Sequence, residues 1–123
     1  MEPEAVTDLV VERRGVPVLV VDSAGDPIAS PQDALDLIGS AFGQAEVVAV
    51  PAERLDERFF GLRSGLAGEI MQKFVNYRVR LVIVGDISEH LGASTALQDL
   101  VRESNRGRHV WFVGDLDELD ARL

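Results

Sequence analysis

A single-domain α/β fold, built on a mixed sheet of about five strands, is predicted by three observations on this 123-residue chain. Five short runs rich in Val, Ile and Leu alternate, after the second, with segments whose apolar residues recur at helical spacing. The first two runs are joined by a few residues around a glycine, which suits a hairpin, whereas helix-sized segments between the later ones imply right-handed parallel crossovers. No linker, low-complexity tract or true repeat divides the chain. The expected order is therefore β-β-α-β-α-β-α-β-α in one domain over residues 1–123, with an antiparallel N-terminal hairpin, parallel crossovers and a flexible lead at residues 1–5.

VTDLVVE (6–12) and VPVLVVD (16–22) flank Arg13-Arg14-Gly15, and Pro17 sits near a strand start, where a missing N–H is tolerated. Ser30-Pro31-Gln32-Asp33 supplies an N-cap, a proline at the first helical position and an acid in the first turn. Ala34, Leu35, Leu37, Ile38, Ala41 and Phe42 make the apolar face of that helix, and Gly43 can stop it. EVVAV (46–50) is a short buried strand interrupted by Pro51. In the second helix Leu66, Ala67, Ile70, Met71 and Phe74 form an apolar stripe, with Glu69, Gln72, Lys73 and Asn76 opposite. VRLVIV (79–84) reads as a strand covered on both faces. DISEHLGAS (86–94) reads as a polar loop. In the helix that follows, Thr95 and Gln98 form a capping box, Leu97, Leu100 and Val101 give the buried edge, and Asn105-Arg106-Gly107 is the stop. HVWFV (109–113) is the fifth strand, and Asp115 with Glu118 caps a last short helix.

Composition excludes several function classes. Hydrophobic residues are 46% and charged residues 27% of the chain, ordinary values for a globular domain. The absence of cysteine removes disulfides, thiolate chemistry and Cys-type zinc sites. A net charge of −9 opposes nucleic acid as a partner, because binding a phosphate backbone needs clustered basic groups to release its counterions. No apolar run approaches the roughly 20 residues that span a bilayer, and MEPEAVTD lacks the basic and apolar regions of a signal peptide. A cytoplasmic protein without a membrane partner is expected. Eleven arginines against one lysine fit a GC-rich bacterial genome. Neither a G-x-G-x-x-G nor a Walker A lysine motif occurs, and no cofactor or metal is expected.

Two places can carry function. In RFFGLRSGLAGE (58–69), Arg63, Ser64 and Gly65 stand where the second helix begins, and unpaired N–H groups with the helix dipole favour an anion there. Ser64 is alternatively only a helix cap, with Gly65 allowing close packing. Phe59 and Phe60 are adjacent, so one can enter the core while Phe60 reaches the surface as a contact; two core phenylalanines are the alternative. The second place is the carboxyl edge, where open α/β sheets hold ligands. Asp22, Asp86 and Asp115 each follow a strand, and Ser88, Glu89 and His90 lie in the loop after the fourth. Such aspartates could converge on Mg²⁺, or simply make turns and caps. With only two histidines and no HExxH-type spacing, no metal triad or Ser-His-Asp arrangement is suggested, and His109 reads as an ordinary strand-end residue.

The runs FFGLRSGLAGEIMQKFVNYRVRLVIVGD (59–86) and ESNRGRHVWFVGD (103–115) closely resemble the family known as domain of unknown function 4180, over most of the chain. That resemblance implies no activity. The element order is also similar to that of STAS domains, the sulfate-transporter and anti-sigma-factor-antagonist fold, whose second helix opens with an Asp-Ser-Ser-Gly-Leu type motif. Leu62-Arg63-Ser64-Gly65-Leu66 holds that place. The resemblance implies that Ser64 matches the serine phosphorylated by a partner kinase, yet Leu62 replaces the acid and Arg63 the first serine. The expected function is a non-enzymatic, STAS-like interaction or regulatory module acting through this helix start on a protein partner or a second copy. The alternative is a small-molecule or anion-binding protein, or an enzyme, using the carboxyl edge.

Overall fold

The computed structural model describes residues 7–123; the expected flexible lead, residues 1–5, lies outside them. One five-stranded sheet runs in the order β1 (Leu9–Arg13), β2 (Val16–Val20), β3 (Val47–Pro51), β4 (Arg80–Val84) and β5 (Val110–Val113). β1 pairs antiparallel with β2, and every later pair is parallel, as expected. The hairpin closes on Arg14 and Gly15, both at positive φ, the geometry whose twist matches two right-twisted strands.

Consecutive parallel strands joined by right-handed crossovers put their connecting helices on one face. Accordingly α1 (Pro31–Ala41), α2 (Leu66–Asn76), α3 (Ser88–Ala93) and α4 (Thr95–Arg106) share a core with Leu19, Val48, Leu81, Ile83 and Phe112. The alternate strand residues Val18, Val47, Ala49, Val82, Trp111 and Val113 face the other way and pack with Leu119 of α5 (Leu116–Arg122). α5 is tied to both edges of the sheet. Asp120 accepts two bonds from Arg13 of β1, at 2.6 and 2.8 Å, and Arg122 lies 4.4 Å from the Trp111 ring centroid on β5.

The N-caps of α1 and α5 follow the sequence, and three details of α4, α1 and α3 depart from it. Ser30 accepts from the Asp33 N–H at 3.2 Å, while the Asp33 carboxylate accepts from the Ala29 N–H at 2.9 Å. Asp115 caps α5 through the Glu118 N–H, and Glu118 returns the bond to the Gly114 N–H. The cap of α4 is Ser94, one residue before the expected Thr95, because its hydroxyl rather than that of Thr95 reaches the Leu97 N–H. The second exception is Phe42. It leaves α1 as the C-cap with ψ at 125°, outside the helical region, and is 80% exposed. Thirdly, residues 88–93 form a helix rather than a loop, started by Asp86 accepting from the Ser88 N–H at 2.9 Å and packed through half-buried Leu91. No helix among the described residues is long and apolar enough to cross a membrane.

Candidate functional site

The carboxyl ends of the parallel strands carry both candidate places singled out above, whereas His109 precedes β5 at the opposite end. After β3 the chain makes three 3-10 turns, at 52–54, 57–59 and 62–64, before entering α2. This segment is anchored from below: Leu55, Phe59 and Phe60 are buried, and Ile28 bridges Leu55 through bonds from the Ile28 N–H to the Arg54 carbonyl and from the Asp56 N–H to the Ile28 carbonyl. Both phenylalanines belong to the core, so Phe60 is not the exposed contact that one of the two expectations allowed. Their rings meet edge to face at 5.3 Å.

Ser64 ends the third turn instead of capping α2 in the usual way. Its hydroxyl donates to the Arg58 carbonyl at 2.6 Å and accepts from the Leu66 N–H at 3.2 Å. The N-cap is Gly65, at φ +77°, and a β-carbon there would meet nothing within 4 Å. Glycine therefore serves the left-handed backbone rather than close packing. Arg63 is exposed and has no carboxylate partner among the described residues. The nearby Asp56 is taken by Arg58 at 2.9 Å, and that guanidinium holds the Asp56 carboxyl below its ordinary range.

The two sequence-derived places meet here. His90 of α3 stacks on Phe60, centroids 4.1 Å apart and planes within 11°. Between them and the turn before α2 opens a cleft of about 510 Å³ whose wall includes Glu57, Leu62, Arg63, His90 and Ser94. The reason is topological: β3 and β4 are neighbours, so the loops that follow them are too. On its other side α3 closes a second, mainly apolar cavity of about 330 Å³ against β4 and β5, formed by Ile83, Ile87, Leu91 and Phe112 with Asp86 and Ser88 at its margin.

The three aspartates are engaged locally. Asp22 accepts from the Thr7 and Ala24 N–H groups, which lower its pKa. Asp86 is lowered by the adjacent Ser88 hydroxyl and by the Ser88 N–H, and Asp115 is spent as the α5 cap. No group of three His, Asp or Glu side chains among the described residues is placed to hold a cation. Sequence reasoning missed Glu57, Leu62 and Ser94 as cleft residues. The signal available for Ser94 was a serine immediately before the helix that starts at Thr95 and three residues before its first buried leucine, Leu97.

The cleft and its flanking strands fall within residues 13–123, which match the family model described as domain of unknown function (DUF4180). The chain belongs to that family. No curated protein and no solved structure matches this DUF4180 chain.

Proposed function

We propose that this DUF4180 domain is a non-enzymatic interaction module, and that its partner docks at the cleft between the start of α2 and α3. The observation that carries this reading is Arg63: an exposed guanidinium without a carboxylate partner among the described residues, on the wall of a cleft that also contains His90. A free guanidinium binds planar or tetrahedral anions in a fixed geometry, so the partner presents a carboxylate or phosphate there. His90, backed by the buried Phe60, gives the opposite wall a flat aromatic surface. The STAS-like form of the proposal draws on element order and on Leu62–Leu66 at the head of α2; Leu62 and Arg63 depart from that motif. In a regulated form, phosphate on Ser64 would break its bond to the Arg58 carbonyl and set a dianion beside Arg63 and the first turn of α2. We place the module in the cytoplasm on its cysteine-free composition.

The test immobilises wild-type protein and the Arg63→Ala, Ser64→Ala and Ser64→Asp variants, captures partners from the native host, and then titrates the isolated partner directly. Arg63→Ala is expected to weaken binding roughly tenfold, the size of one lost charge-assisted contact. Phosphate on Ser64, read by mass spectrometry, would support the regulated form. Equal affinity across all four proteins would remove the cleft from consideration. A second reading, a small apolar ligand at the carboxyl edge, is favoured by the 330 Å³ cavity beside Asp86 and Ser88.

A further inference from the structure

We propose that the opposite, amino end of the sheet carries a second site, which takes a small phosphate-bearing anion. It is formed by the two adjacent loops leading from α2 into β4 and from α4 into β5. Arg78 and Arg108 hold matching places in these loops, each two residues past its helix. β4 pairs in parallel with β5, Leu81 against Val110, so Arg80 and His109 come side by side one residue earlier. These four residues line an open cavity of about 510 Å³, in which Glu46 supplies the carboxylate.

Three features set this cluster apart from scattered surface charge. First, a chain of net charge −9 gathers three guanidinium groups around one cavity, a repulsive arrangement that an anion relieves. Arg102 and Arg106 on the neighbouring helix are paired with Asp99 and Glu103, whereas Arg78 and Arg108 have no ion-pair partner among the described residues. Secondly, the arrangement is braced. Arg80 donates from Nε to the Arg108 carbonyl at 2.8 Å, and its guanidinium carbon lies 4.5 Å from the Trp111 ring centroid, which fixes the Arg108 loop. Thirdly, Arg78 occupies the left-handed region at φ +58°, which glycine or asparagine takes at less cost, so the backbone does not explain an arginine there.

Helix C-termini also point to this end and favour cations. Lys73 and Arg106 already lie in those last turns, while Arg78 and Arg108 project from beyond them. Two free guanidiniums and an exposed imidazole offer more donors than the two oxygens of a carboxylate can use. A phosphate group, with three terminal oxygens and greater charge, fits them better.

The probe is inorganic pyrophosphate, titrated at constant ionic strength into isotope-labelled wild-type protein and followed by amide chemical shifts. Saturable shifts centred on residues 78–80 and 108–110 are expected, with affinity about tenfold weaker in Arg108→Ala and in Arg78→Gly. Because glycine accepts the left-handed backbone, Arg78→Gly should keep the wild-type melting temperature and so isolate the charge. Shifts that do not saturate by roughly 10 mM, that persist unchanged in both variants, or that fall at 60–64 and 88–94 instead would overturn the proposal.

Discussion

At the scale of single residues, the head of α2 depends on one backbone conformation. Gly65 turns the chain through φ +77°, and Ser64 ties the turn by bonding both the Arg58 carbonyl and the Leu66 N–H. Gly65→Ala should therefore cost about 1–2 kcal/mol from strain alone, since the added methyl meets no neighbour. The helical Gly92, equally free of neighbours, provides the control: Gly92→Ala should stabilise by about 0.5–1 kcal/mol. Urea denaturation of the two variants decides it, and a neutral Gly65→Ala would mean that the turn relaxes in solution. That a serine and a glycine mark a helix start was legible in the sequence, because both residue types act through local backbone chemistry. Which of them caps, and which carboxylate Arg58 or Arg63 would find, depended on how residues 52–64 fold into three short turns.

Among the elements, α3 and β5 show where periodicity informs and where it fails. Long stripes such as Leu66, Ile70 and Phe74 identify α2 because several turns repeat the same signal. α3 has six residues with a glycine inside, too few turns for a period to emerge, and its helical form rests on Leu91 packing against the core. β5 lies at an edge of the sheet, where unpaired backbone groups invite another strand. Asn105 occupies that edge by donating to the Phe112 carbonyl at 3.2 Å and accepting from the Phe112 N–H at 2.7 Å. Asn105→Ala is expected to destabilise the fold by about 1–3 kcal/mol, since it strips both bonds from a buried strand residue. Size-exclusion chromatography at rising concentration should show the variant self-associating before wild type. A variant as stable and as monomeric as wild type would rule out the clamp.

For the whole molecule, the electrostatic link between first strand and last helix sets the expected response to acid. Hydrogen bonds from Arg13 lower the pKa of Asp120, and Asp22, Asp56 and Asp86 are lowered by their own bonded neighbours. A carboxylate with a depressed folded-state pKa favours the folded form fully above its unfolded value, and that contribution disappears as pH falls through the folded value. Stability should accordingly decline below about pH 4, the ordinary carboxylate range, and Asp120→Asn should flatten that decline. Urea midpoints measured from neutral to strongly acidic pH for both proteins provide the check; parallel curves would exclude Asp120 as a contributor. Taken alone, the sequence determined the five strands, every α-helix but α3, the antiparallel hairpin and most caps, since hydrophobic period, turn residues and capping chemistry act over a few residues. It also located Arg63, Ser64 and His90, but as two separate places. Tertiary structure alone decided that β3 and β4 are neighbours, which joins Arg63 and His90 in one cleft, and that β4 and β5 are neighbours, which gathers Arg78, Arg80, Arg108 and His109. Strand adjacency is set by burying both faces of one sheet at once, a property of the assembled core that no short segment encodes.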